Sequence, residues 1–142
     1  MAYTGSGVVA SGFPQTADKF TFTYYLTGAF ADENAVRATE GKAVSQDTAA
    51  ASSVKLAANG ERIFGRVYVA ERRAILGFNT ASIQRKFKEK LPAAVGHGIG
   101  LGASVVGAGN GLVRLAAAGA EAGSAGNIVV ETGDNYVVVE QF

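Results

Sequence analysis

Between Glu61 and Phe87 the chain changes character with a period of two, and few folds accept that pattern. Ile63, Gly65, Val67 and Val69 form one small, apolar face; Arg62, Phe64, Arg66 and Tyr68 place guanidiniums and aromatic rings on the other. Successive side chains of a strand point to opposite faces, so the pattern predicts a β-strand with one face in a core. Glu71-Arg72-Arg73 is short and polar and reads as a turn. Residues 74–80 then resume as a second strand, with Leu76 and Phe78 on one face and Ile75 and Gly77 on the other. Two strands joined so closely make an antiparallel hairpin.

The flanking sequence adds further strands. Residues 19–27 (KFTFTYYLT) alternate Phe20, Phe22, Tyr24 and Leu26 against threonines and Tyr25, which predicts a strand. Residues 31–39 read either as a short helix capped by Asp32 or as a short strand. Short strands are expected at 42–45 and 53–57, and Ala58-Asn59-Gly60 turns the chain into the central hairpin. Residues 81–91 carry Ile83, Phe87 and Leu91 at a spacing that suits a helix or a strand; the β-rich surroundings and the missing cap favour a strand. Residues 92–102 are glycine-dense and irregular. Residues 103–107 and 112–116 flank Ala108-Gly109-Asn110-Gly111 as a hairpin, 117–126 form a low-complexity loop, and 127–131 with 136–140 close the chain as a hairpin. The expectation is an all-β fold: a small β-sandwich or β-barrel of antiparallel hairpins over residues 19–142, a single β-domain, with an extended, flexible N-terminal arm at 1–18. The arm is polar except for Val8, Val9 and Phe13. It reads either as a disordered tail or as a segment that orders on another subunit through those three residues.

Chemistry is sparse. The single histidine, His97, lies between two glycines, and there is no cysteine, so no thiolate metal site or thiol nucleophile is available. Gly98 to Ala103 matches the loose GxGxxA dinucleotide fingerprint, with Glu121 beyond it. The strand-like Ser104-Val105-Val106-Gly107 follows, where that chemistry needs a helix. The carboxylates are dispersed apart from Asp32-Glu33. No enzyme activity and no cofactor are expected.

A net charge of +1 gives no global attraction to nucleic acid or anionic lipid, and no run is long enough for a membrane-spanning helix. The start of the chain lacks the basic and apolar segments of a signal peptide. With no cysteine, folding in a reducing cytoplasm is expected. The Arg62, Phe64, Arg66 and Tyr68 face, extended by Lys86, Lys88 and Lys90, has the residue types of an oligonucleotide-binding barrel. The same residues serve equally well as a protein-contact surface or an aggregation-resistant strand face. The balanced charge argues against nucleic acid as a partner.

The order Gly41-Lys42-Ala43-Val44, Val54-Lys55-Leu56-Ala57, Gly65-Arg66-Val67 and Ala74-Ile75-Leu76-Gly77 resembles that of capsid decoration (cement) proteins of tailed bacteriophages. So does the run from Val105 to Arg114 with the closing hairpin that starts at Asn127. The resemblance covers residues 41–115 and that hairpin, and it rests on hairpin order and glycine placement. It implies a structural virion protein on the outside of the capsid that clamps neighbouring capsomers. The major capsid protein would then be its partner, and the chain would self-associate as a homotrimer, or alternatively a dimer. The competing readings are an oligonucleotide-binding barrel and another virion subunit such as a tail component.

Overall fold

The computed structural model describes residues 21–142. Val8, Val9, Phe13 and the expected arm lie outside the described residues. The described chain forms ten strands and two short helices, in the order β1 (Thr21–Leu26), α1 (Glu33–Arg37), β2 (Ala43–Gln46), β3 (Ser53–Leu56), β4 (Gly65–Arg73), β5 (Phe78–Gln84), β6 (Phe87–Pro92), β7 (Val105–Gly109), β8 (Leu112–Leu115), α2 (Ala120–Ser124), β9 (Asn127–Thr132) and β10 (Tyr136–Gln141). The fold is all-β: β1-β3-β2-β4-β5 close into a barrel, β6-β10-β9 form a three-stranded sheet and β7-β8 a separate hairpin.

Barrel closure follows from how the first strands pair. β1 runs antiparallel to β5, with Phe22 opposite Ile83, and parallel to β3, with Leu26 opposite Val54. Both edges of β1 are therefore occupied, and closure removes the open edges that invite aggregation. The turn at Asn59-Gly60 forms as expected, with Gly60 at φ +82°. The strand that follows it pairs with β2 rather than with β3. Leu26, Val36, Val44, Val54, Val67 and Ile83 fill the barrel. Phe87, Leu91, Val105, Val113, Val129 and Val139 pack a second cluster beneath the three-stranded sheet, to which Ala43, Ala57 and Ile63 also belong.

The central hairpin differs from the sequence reading in two ways. β4 runs on through Glu71, Arg72 and Arg73, and the turn is Ala74 to Gly77, with Arg73 paired to Phe78. Gly77 at φ +80° and two amides donating to the Arg73 carbonyl close this turn, a left-handed geometry that glycine adopts without strain. Its apolar content mimics a strand while its backbone is a loop. Second, the register shifts between Val67 and Val69, so a bulge inserts Tyr68 and reverses the alternation beyond it. Val67 and Ala70 point inward, and Val69 is 44 % exposed.

Residues 31–39 resolve as helix α1, whose Asp32 side chain accepts from the Ala35 amide at 2.9 Å and whose Val36 is buried in the barrel. The expected strand over 81–91 is two strands, β5 and β6, separated by a bend at Arg85-Lys86. Within 117–126 a single helical turn, α2, forms around Glu121. That carboxylate accepts both Arg114 Nη atoms at 3.0 Å and the Ala117 amide at 2.9 Å. The expected hairpin of β7 and β8 forms, but β7 runs on through Gly109, so its turn is Asn110-Gly111 alone, both residues at positive φ.

Candidate functional site: an aromatic and cationic groove and an apolar hairpin tip

The bend between β5 and β6 places Arg85 and Lys86 beside the segment that leads into β4. Together with Phe22 of β1 and the end of β10 they enclose a groove of about 460 Å³, whose floor includes Ile63 and Gln141 and whose sides include Arg62, Phe64 and Phe142. Three of the residues singled out from the sequence, Arg62, Phe64 and Lys86, therefore meet here.

Arg85 organises one wall. Its guanidinium lies 3.6 Å over the Phe64 ring, its Nε donates to the Phe64 carbonyl at 2.8 Å, and Tyr24 meets Phe64 edge-on at 5.3 Å. Stacking of this kind fixes a cation while leaving its charge uncompensated. Arg62 is exposed, and its guanidinium stands beside Gly126. Among the described residues, no carboxylate side chain lines the groove and no ion pair joins Arg62 or Arg85 to an acid. Gln141 is 8 % exposed. Its Nε2 donates to the Ile63 and Phe64 carbonyls, and its buried Oε1 has no donor among the described residues.

The remaining candidates lie elsewhere. Arg66 turns onto the Lys90 carbonyl and the Gln84 side chain, at 2.8 and 2.7 Å. Burial pulls its guanidinium below the ordinary value, and nearby Glu89 opposes the shift. The Lys90 ammonium sits 4.3 Å over the Tyr136 ring, in a separate shallow hollow that Arg66 also lines. Tyr68 is the bulge residue on the outside of the barrel, and Lys88 is exposed on β6. The expected continuous face is thus broken by the bulge and the bend.

A second surface emerges at the Ala74–Gly77 turn. Ile75 is fully exposed and Leu76 is 64 % exposed, while Phe78 and Tyr25 meet edge-on at 5.2 Å at its base. The base is braced: Arg72 donates to the Phe30 carbonyl at 2.9 Å and Arg73 pairs with Glu71 at 3.3 Å. The sequence signal was present, since an aliphatic pair precedes a glycine between two strands, but it read as the strand itself. Phe22, Arg85, Gln141 and Phe142 were also missed, because only the closed barrel brings residues so distant in sequence together.

His97 is tied into the 96–102 loop, with Nε2 donating to the Gly133 carbonyl at 2.7 Å and Nδ1 accepting from the Ile99 amide at 2.9 Å. No cluster of three His, Asp or Glu side chains that could hold a metal occurs among the described residues, and no helix there is long and apolar enough to cross a membrane. Comparison of the chain with protein-family models, with curated proteins and with solved structures finds no match.

Proposed function

We propose that this chain is a structural attachment protein that binds the outside of a phage capsid and clamps neighbouring capsomers, docking through the β4–β5 hairpin tip. The observation that carries this reading is the apolar tip itself. Ile75 and Leu76 project from a turn whose base is fastened through Arg72 to the Phe30 carbonyl. An aliphatic pair held in water on a braced hairpin is poised for insertion into a partner's apolar pocket. Burying each side chain contributes about 1.5–3 kcal/mol, and a preformed turn loses little conformational freedom on docking. The resemblance to decoration proteins supplies the particle: the major capsid protein is the partner, and the copies associate as a homotrimer or, as the alternative, a dimer. The working location is the capsid surface, reached after folding in the host cytoplasm.

The test is co-sedimentation with purified expanded heads of the phage that encodes the chain. The wild type is expected to pellet with heads, and Ile75→Ser with Leu76→Ser to weaken binding at least about tenfold. A wild type that stays in the supernatant overturns the capsid role. A double variant that binds like the wild type overturns the tip as the docking element.

A further inference from the structure

We propose that the groove bounded by Arg62, Arg85 and Phe64 is a second recognition site, and that it takes a short acidic peptide segment of a partner protein. The groove opens at the Gln84 end of β5, whereas the Ile75–Leu76 tip lies beyond the Phe78 end. The two surfaces therefore face opposite ends of one hairpin, and the groove does not depend on the tip.

Three observations set the chemistry of the ligand. The first is charge: Arg62 and Arg85 line a groove that, among the described residues, contains no carboxylate side chain. Arginine presents a planar fork that matches a carboxylate with two parallel hydrogen bonds. The second is apolar surface, since Phe22 is 56 % and Phe142 is 67 % exposed at the rim. Rings standing in water beside cations suit a segment in which acidic and apolar side chains alternate. The third is Gln141, whose Oε1 is buried without a donor while its Nε2 holds two backbone carbonyls. Buried acceptors are ordinarily satisfied, so Oε1 is an unmet polar group in a residue that lines the groove.

The same geometry argues against a nucleic-acid strand. A single strand needs cations that follow its backbone over several phosphates. Here Arg66 is turned onto Lys90 and Gln84, Lys90 lies over Tyr136, and the bulge carries Tyr68 away from the groove. Arg62 and Arg85 meet in one pocket, of a size that holds two or three side chains, rather than along a track.

The experiment titrates the full chain by calorimetry with three probes: an acetylated hexapeptide alternating glutamate and leucine, the same peptide with glutamine for glutamate, and a short oligothymidylate. The acidic peptide is expected to bind with Kd on the order of 100 µM. The glutamine peptide and the Arg62→Ala variant should each bind about tenfold more weakly, the value of one charge-assisted hydrogen-bonded contact. Tyr68→Ala, outside the groove, should bind like the wild type. Arg62 is exposed and makes no hydrogen bond or ion pair among the described residues, so its removal is expected to leave thermal unfolding unchanged. Equal affinity for the two peptides, no binding of the acidic peptide at about 1 mM, undiminished binding by Arg62→Ala, or tighter binding of the oligothymidylate overturns the proposal. None of these results bears on attachment through Ile75 and Leu76, which head co-sedimentation reads separately.

Discussion

Gly107 shows how a single residue decides where the hairpins of this protein can meet. A Cβ placed there would stand 2.2 Å from the Ala58 carbonyl oxygen and 3.0 Å from the Ala57 side chain. The backbone of β7 approaches so closely because Gly60 donates to the Gly107 carbonyl and Gly107 donates to the Glu61 carbonyl, both at 2.8 Å. Gly107→Ala is expected to force the two segments apart and to destabilise by about 1–3 kcal/mol, read as a lower midpoint in urea with the slope unchanged. A midpoint equal to the wild type's would contradict the close approach. Glu61 anchors the same junction through its side chain, accepting from Ser45 at 2.6 Å and the Ala58 amide at 2.9 Å and pairing with Lys55 at 3.0 Å. Burial raises its carboxyl pKa, but the hydrogen bonds from Ser45 and Ala58 and the charge of Lys55 outweigh burial and leave it lowered. A depressed acid contributes stability that is present above its unfolded value, about 4.3, and is lost as pH falls through the folded value. Thermal unfolding should therefore fall away below about pH 4.5. Glu61→Gln should unfold earlier at pH 7 and show a shallower acid decline. An unchanged acid limb would mean that Glu61 is not linked to folding.

Among the elements, those with local chemistry were legible in the sequence and those set by tertiary pairing were not. The two-residue turn at Asn110-Gly111 follows from residues that tolerate positive φ, and the closing pair β9–β10 from alternation on either side of Gly133-Asp134-Asn135. The Asp32 cap was one of two open readings until Val36 was seen to fill the barrel. The hairpin turn at Ala74–Gly77 begins three residues beyond its expected start, because Ile75 and Leu76 imitate a buried strand while Glu71, Arg72 and Arg73 imitate a turn. Arg72 and Arg73 in fact brace the base. The bulge at Tyr68 leaves no mark in composition, since it arises from how β4 is paired with β5. Because Ile75 is fully exposed and Leu76 mostly so, Ile75→Ser with Leu76→Ser should change stability by less than about 0.5 kcal/mol. Val67→Ala, eight positions earlier and fully buried, should cost about 0.5–2 kcal/mol or more from lost methyl burial and the cavity left behind. Chemical denaturation of the two variants separates a docking surface from a core; a tip variant as damaging as Val67→Ala would show that the tip is part of the fold.

At the scale of the molecule, barrel closure sets two different surfaces at opposite ends of the β4–β5 hairpin. The all-β class was legible because period-two alternation recurs along the chain. Closure was not, because it depends on β1 pairing with both β3 and β5, contacts that no local pattern encodes. The groove was half legible for the same reason: Arg62, Phe64 and Lys86 were in view, while Phe22, Arg85 and Phe142 reach it only once the barrel is closed. The proposed attachment by the hairpin tip is read out by a reconstruction of heads mixed with the protein. The expected result is density for the barrel on the outer surface, with the Ile75–Leu76 turn inserted between capsid subunits and the copies related by a three-fold or two-fold axis. Bare heads at saturating protein, or barrels bound with that turn pointing into solvent, would contradict it.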